Sequence, residues 1–169
     1  VVSGECDRAP GSAPTAIELF LHSQIAQGSA PRRGATQSEL LAAETRLRIK
    51  VPDDVAALYQ IANGTALCDD SIITFWSVDE FQPVDTSGMS DLVGEGRRWI
   101  VFADHLVQSH LLVFECSEQV RLRTAPIFRL NEDQICVADS LEAFLLLYVE
   151  VGDQIIYHPV DCRRSVSGL

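Results

Sequence analysis

The sequence predicts an α+β fold with N-terminal helices, a largely antiparallel sheet of about five to six strands, and a C-terminal helix packed on that sheet. Three observations support this class. Capped segments with apolar residues at helical spacing come first, short β-branched and aromatic segments follow, and one more amphipathic segment comes last. Separate blocks of helices and strands are typical of α+β domains. Most neighbouring strands have no helix between them, which favours antiparallel pairing.

The first helix is predicted to begin at Thr15, which forms a capping box with Glu18. In such a box the hydroxyl and the carboxylate each accept from a backbone N–H group that the helix leaves unpaired. Apolar residues follow at helical spacing until Gly28, where the helix stops. The segment 28–35 (GSAPRRGA) is interpreted as a linker because it is rich in Gly, Pro and Ser.

A second capping box, Thr36 with Glu39, predicts another helix directly after this linker. Pro52 suits the first position of a third helix, because its fixed φ angle is compatible with a helix start. Two aspartates follow in the first turn, where the helix dipole favours negative charge. Asn63 and Gly64 are predicted to end this helix, since both tolerate the left-handed conformation that closes many helices.

After Gly64 the sequence changes to short runs of β-branched and aromatic residues separated by turn residues, which is typical of strands. Residues 82–98 are polar and contain glycine, and they are predicted to be a loop. The predicted strands are 72–76, 99–103, 110–114, 119–122, 125–130 and 134–138.

A capping motif at 139–142 predicts the last helix, with an apolar stripe behind it. Residues 154–157 are a candidate for one further strand. Residues 1–14 are rich in Gly, Pro and Ser and are predicted to be a flexible tail. The chain is therefore divided into this tail, a single domain at 15–151 and a C-terminal extension at 152–169.

The composition excludes several classes of function. The 169 residues include 24 Asp and Glu against 13 Lys and Arg, a net charge of −11. Phosphate contacts need a basic surface, so we expect no nucleic-acid partner. No apolar run reaches the roughly 20 residues that a membrane-spanning helix needs, so we expect no membrane. The N-terminus lacks the basic and apolar regions of a signal peptide, which predicts a cytoplasmic protein. The oligomeric state stays open.

Five cysteines are scattered along the chain without a CxxC pair. Their odd number and wide spacing predict neither a disulfide framework nor a zinc site. We interpret them as isolated, small apolar residues in a reducing compartment. They are Cys6, Cys68, Cys116, Cys136 and Cys162.

The sequence contains no known catalytic or cofactor-binding motif, and we expect neither an enzyme nor a cofactor. One group of residues has metal-binding side chains: Asp104, His105 and His110, followed by Cys116. A metal site on two strands and their loop is one interpretation, and surface loop residues are the other. Their spacing matches no established metal-binding motif, so the sequence predicts no metal site.

The negative charge is concentrated between residues 51 and 96, a stretch without Lys or Arg. Two interpretations stay open. The stretch is either a solvated surface that improves solubility or a surface that attracts a basic partner. Its nine carboxylates are Asp53, Asp54, Asp69, Asp70, Asp79, Glu80, Asp85, Asp91 and Glu95.

Several motifs occur in an order that resembles the SUKH superfamily. Its entry motif resembles Glu39, Glu44 and Leu47 followed by Val51-Pro52-Asp53, Leu58-Tyr59 and Asn63-Gly64. Residues 75–81 (FWSVDEF) resemble its first strand and the turn after it. Residues 99–104 (WIVFAD) resemble its central strand, and residues 137–145 (VADSLEAFL) resemble its closing strand and helix. The resemblance covers about residues 36–150, most of the chain.

This superfamily includes yeast cell-wall assembly regulators and many bacterial immunity proteins. The resemblance implies an interaction module without catalytic residues, which in bacteria neutralises a toxin, frequently a nuclease, encoded beside it. We therefore expect a basic toxin domain as partner, and a regulatory scaffold of the yeast type is the alternative. Two tryptophans are among the predicted partner-binding residues, and for both of them packing in the core is an alternative to surface anchoring. The predicted partner-binding residues are Asp69, Asp70, Trp76, Asp79, Glu80, Asp85, Asp91, Glu95 and Trp99.

Overall fold

The structure, a computed structural model, describes residues 13–66, 73–84, 97–105, 109–131 and 134–157. The helices in this part of the chain are α1 (Ala16–Ala26), α2 (Gln37–Leu47), α3 (Asp53–Ile61), α4 (Leu141–Val151) and a 3-10 helix (Gly152–Tyr157). The strands are β1 (Pro31–Arg33), β2 (Ala62–Thr65), β3 (Ile73–Phe75), β4 (Gln82–Pro83), β5 (Arg97–His105), β6 (His110–Ser117), β7 (Ile127–Leu130) and β8 (Gln134–Ala138).

The main sheet contains β3 to β8 of the described strands, and every strand pair in it is antiparallel. Its order is β3-β5-β6-β7-β8, and β4 pairs with the same edge of β5 as β3 does. β1 and β2 form a separate two-stranded sheet. The predicted α+β class, with helices on both sides of the antiparallel strands in the sequence, is confirmed.

The inner face of the main sheet packs against the helices and forms the main core. Phe75 of β3 lies at its centre, with ring centroids 5.0 Å from Phe20 of α1 and 6.0 Å from Tyr148 of α4. Phe102 and Phe144 complete this group of mostly edge-to-face rings, the geometry that aromatic quadrupoles favour. The predicted apolar stripe of α4 is buried in this core.

The outer face of the main sheet carries a second, smaller apolar cluster. Trp99 of β5 is only 1% exposed there, and its ring stacks on Phe128 with centroids 4.8 Å apart. Val101 and Val113 are also buried in this cluster, and the partly buried Trp76 packs against it. Both faces of the central strands are therefore covered.

A β-bulge in β5 decides which side chains reach the outer face. The register between β5 and β6 shifts between Val101 and Ala103, so β5 contains one extra residue there. Phe102 and Ala103 both belong to the main core as a result. Asp104, the next residue, consequently lies on the outer face together with Trp99.

Both capping boxes predicted for α1 and α2 are present. In each, the threonine hydroxyl accepts from the backbone N–H three residues later, and the glutamate carboxylate accepts from the threonine N–H. α4 begins with Ser140 as its cap, whose hydroxyl accepts from the N–H of Ala143.

The capping glutamate of α2 predicts a specific pH dependence. Bonds from Arg33 (2.6 Å and 3.2 Å) and from Thr36 lower the pKa of Glu39 from 4.5 to about 2. A lowered folded-state pKa stabilises the fold above pH 4.5, and this contribution is lost as pH falls toward about 2. We expect Glu39→Gln, which retains a capping side chain, to lower the urea midpoint near neutral pH and to match the unchanged protein near pH 2. A difference that is equally large at both pH values would contradict this assignment.

Two local predictions at the N-terminal side are wrong, and long-range pairing explains both. The predicted linker 28–35 contains β1, which pairs with β2 in the register Pro31 to Thr65. Asn63 and Gly64 lie within β2 and do not close α3, which ends at Ile61. Local sequence does not reveal this strand pair because both of its strands are short and polar.

Three further predictions differ from the structure. Residues 119–122 form no strand, and 154–157 belong to the 3-10 helix, whose Ile155 and Ile156 are buried in the main core. The predicted loop 82–98 contains β4 and the first two residues of β5, and its residues 85–96 lie outside the described part.

The cysteines are not all isolated thiols. Cys116 is free and buried, and burial raises its thiol pKa to about 12. Cys136 in β8 is disulfide-bonded, so the prediction of isolated cysteines is wrong there. Cys6, Cys68 and Cys162 lie outside the described residues.

Candidate partner-binding site

The turn at residues 77–80 presents two of the predicted partner-binding carboxylates, Asp79 and Glu80. The buried side chain of Asn63 holds this turn, since its Oδ1 accepts from the N–H of Val78 at 2.8 Å. Arg46 of α2 donates to the carbonyl of the same residue at 3.0 Å. The turn is therefore fixed by residues that lie far from it in the sequence.

β2 lies directly against the residues that lead into this turn. Gly64 has a φ of +77°, a region that L residues rarely adopt. A Cβ at this position would lie 2.6 Å from the carbonyl oxygen of Phe75 and 2.8 Å from the carbonyl carbon and oxygen of Trp76. This close backbone approach, which only glycine permits, positions Trp76 beside the turn.

Glu80 is held in place through one of its two carboxylate oxygens. Its Oε2 accepts from the N–H of Ser77 at 2.8 Å, from the Ser77 hydroxyl at 2.6 Å and from Arg32 Nη1 at 3.1 Å. Burial opposes ionisation, yet the bonds from Ser77 and the charge of Arg32 together hold the pKa of Glu80 below its ordinary value. The side chain thus carries a full negative charge on a half-exposed surface.

Asp104 lies on the outer face beside Trp76. The indole Nε1 of Trp76 donates to Asp104 Oδ2 at 3.3 Å. Burial raises the pKa of Asp104, and the bond from Trp76 and the charge of His105 only partly oppose this shift. The sequence assigned Asp104 to a hypothetical metal group, and only the β5 bulge shows that it belongs with Trp76.

These residues surround a surface hollow of about 260 Å³. Its lining consists of Trp76, Glu80, Gln82 and Asp104, which come from the residue after β3, the 77–80 turn, β4 and β5. An aromatic ring, two carboxylates and an amide therefore meet at one place although they are up to 28 positions apart in the sequence. Such a lining can accept hydrogen bonds and attract a cation.

The remaining predicted site residues divide into three groups. Asp79 is exposed, and it makes no hydrogen bond or ion pair within the described part of the chain. Trp99 is buried against Phe128 and is not available as a surface anchor, so core packing is the correct interpretation for it. The residues that lie outside the described part are Asp69, Asp70, Asp85, Asp91 and Glu95.

Two further carboxylates of the acidic stretch lie at the start of α3. Asp54 accepts from the N–H groups of Val55 (2.8 Å), Ala125 (3.1 Å) and Leu141 (3.2 Å) and thereby connects α3 to α4. The guanidinium Nε of Arg121 lies 4.0 Å from Asp53. Asp54 therefore has a structural role, so the nine carboxylates of the acidic stretch do not act as one uniform surface.

The hypothetical metal group does not converge. Asp104 lies on the outer face, whereas His105 is 2% exposed and lies on the opposite side of β5. His110 contacts the ring of His105 with centroids 5.3 Å apart, and its Nδ1 lies 3.1 Å from the hydroxyl of Ser109. Among the residues that the structure describes, no three His, Cys, Asp or Glu side chains are grouped to hold a metal ion.

Comparisons with known proteins agree with this architecture. A search of curated proteins finds no match. In the part of the chain that is described, no helix combines the length and the hydropathy needed to cross a bilayer. The family model of the SMI1 / KNR4 family (SUKH-1) matches residues 34–147, a continuous segment from α2 into α4 that includes the turn and the hollow. Since this match covers well over half of the sequence, the chain belongs to the SMI1 / KNR4 family (SUKH-1).

Proposed function

We propose that this chain is an immunity protein that binds a cognate toxin domain and neutralises it. The observation that carries the proposal is the surface formed by Trp76, Asp79 and Glu80, called the turn surface below. Bonds from Ser77 and Arg32 hold the pKa of Glu80 below its ordinary value, Asp79 is exposed, and the ring of Trp76 is half-buried. The turn surface lies inside the segment matched by a family of interaction modules.

Charge complementarity supports a basic partner. A nuclease toxin, the class that the family resemblance implies, must carry positive charge where it binds phosphate. Carboxylates that are fixed on a rigid turn can occupy such a cleft, and complementary charge also accelerates association. The net charge of −11 extends this attraction over the whole chain. The proposal gives the chain no catalytic role of its own.

The proposal places the complex in the cytoplasm of the cell that encodes both proteins. In that reducing compartment we expect the disulfide of Cys136 to be reduced, so binding should be measured with a thiol reductant present.

The central test is a charge reversal at Asp79. We expect Asp79→Lys to weaken binding of the toxin domain encoded beside this gene at least about tenfold, because one like-charge contact costs roughly 1.4 kcal/mol or more. The fold should persist, since Asp79 is exposed and makes no hydrogen bond or ion pair in the described structure. Affinity is measured by calorimetry at low and moderate salt, and protection by survival of cells that express the toxin.

Glu150→Lys in the last turn of α4 is the matched control, because it makes the same charge change on an exposed residue outside the acidic stretch. Its affinity should stay within about twofold of the unchanged protein if the turn surface, and not net charge, determines binding. Equal losses in both variants would reject the turn surface. A chain that binds no neighbouring toxin but several housekeeping proteins would instead support the regulatory scaffold.

A further inference from the structure

We propose that the hollow lined by Trp76, Glu80, Gln82 and Asp104 accepts the guanidinium group of an arginine side chain of the partner. This inference rests on the proposed function, since it names the group by which a basic partner is recognised. It adds Asp104 and Gln82 to the site and distinguishes arginine from lysine.

The first step concerns the unused oxygen atoms of the two carboxylates. All hydrogen bonds that described residues donate to the Glu80 carboxylate reach Oε2, and the bond from Trp76 to Asp104 reaches Oδ2. Glu80 Oε1 and Asp104 Oδ1 accept no hydrogen bond from any described residue. Each side chain is thus fixed in position by one oxygen while the other can accept a new bond. A guanidinium group, which presents several N–H donors in one plane, is suited to two such acceptors.

The second step concerns Trp76. Its indole is half-buried, and its Nε1 is fixed by Asp104, so the orientation of the ring is set before a partner binds. Arginine stacks its planar cation on aromatic rings and is more weakly hydrated than the ammonium group of lysine. A tryptophan beside two carboxylates therefore favours arginine over lysine.

The third step concerns charge. Arg32 bonds to Glu80, but among the described residues the only side-chain bond to Asp104 is the neutral indole N–H of Trp76. Burial raises the pKa of Asp104, which means that the ionised form lacks full compensation in the free protein. An arriving cation would supply that compensation. The hollow of about 260 Å³ has room for it, since one water in the liquid occupies about 30 Å³.

The test follows the two indole N–H signals by nuclear magnetic resonance, because the chain contains only two tryptophans. N-acetyl-arginine methylamide is titrated into the full chain, with the lysine and citrulline analogues as probes of charge and shape. We expect a saturable shift of the Trp76 signal, assigned by Trp76→Phe, and an unchanged Trp99 signal. The arginine probe should bind at least about fivefold more tightly than either analogue.

Asp104→Asn should weaken arginine binding at least about fivefold, and Glu150→Lys, a charge reversal on an exposed residue of α4, should leave the selectivity for arginine over citrulline unchanged. No saturable shift, equal binding of citrulline, or an unaffected Asp104→Asn variant would overturn the inference. These results are separable from those on the proposed function. Toxin binding that survives Asp104→Asn rejects the arginine site alone, whereas arginine binding without any toxin partner rejects the immunity function alone.

Discussion

Gly64→Ala is expected to lower the free energy of unfolding by about 2–5 kcal/mol, one of the largest effects of any single substitution in this chain. A residue with a Cβ pays roughly 1–2 kcal/mol to adopt a positive φ such as +77°. The added methyl group would also lie 2.6–2.8 Å from the backbone of Phe75 and Trp76. Backbone cannot rotate away as a side chain can, and overpacking of this kind typically costs a further 1–3 kcal/mol. Urea unfolding measures the change.

Gly152→Ala is the matched control for this prediction. Gly152 also has a positive φ, +61°, but within the described part of the chain a Cβ there would meet no atom within 4 Å apart from its sequence neighbours and the backbone of its own helix. Its ψ of −137° places it outside the left-handed helical region, so Gly152→Ala should lose only a backbone contribution of about 1–3 kcal/mol. If the two variants lost equal stability, the close approach between β2 and β3 would contribute nothing. The Trp76 indole signal should shift in Gly64→Ala and stay in place in the control.

Glu44→Ala is expected to cost about 2–4 kcal/mol, because it removes the buried carboxylate of a partly buried ion pair and leaves the N–H of Val51 and the partly exposed Arg121 without their acceptor. Glu44 of α2 is 5% exposed, and its Oε1 accepts from Arg121 at 2.6 Å and from the N–H of Val51 at 2.9 Å. Arg121 also donates to the carbonyl of Val51 at 2.9 Å. The pair therefore connects α2, the entry to α3 and the segment that follows β6.

Two variants separate the parts of this effect. Glu44→Gln keeps an acceptor for Val51 but loses the charge, so its loss of stability should be intermediate. Glu118→Ala removes an ion pair with Arg98 in which both side chains are about 40% exposed, and exposed pairs contribute at most about 1 kcal/mol. A loss in Glu44→Ala as small as that in Glu118→Ala, measured by urea unfolding, would show that burial does not strengthen the pair.

The order of elements and the fold class could be predicted because they depend on local signals. The capping boxes at Thr15 and Thr36 need only residues three positions apart, and both are present in the structure. The pairing of β1 with β2 depends instead on a contact between positions 31 and 65. Asn63 and Gly64 have the composition of a helix end, yet this pairing and the bond from Val78 to Asn63 keep the chain extended there.

The site could be predicted only in part, because it too depends on contacts between residues that are far apart in the sequence. Trp76 and Trp99 have similar strand neighbours, and nothing local distinguishes the half-buried ring from the buried one. Strict alternation along β5 would place Asp104 on the inner face with Phe102. The bulge adds one residue and moves Asp104 to the outer face, where it meets Trp76. A bulge has no reliable sequence signature, so the role of this aspartate required the structure.

The helix α1 belongs to the folded core but lies outside the segment that the family model matches. It precedes residue 34, the first position that the family model matches, and Tyr148 of α4 lies just beyond the last. Even so, Phe20 of α1 contacts Phe75 and Tyr148 in the main core, and its Gln24 Nε2 donates to the Tyr148 hydroxyl at 3.2 Å. The cooperative folding unit is thus larger than the homologous unit. A fragment limited to residues 34–147 would therefore lack both Phe20 and Tyr148 and would leave the ring of Phe75 partly uncovered.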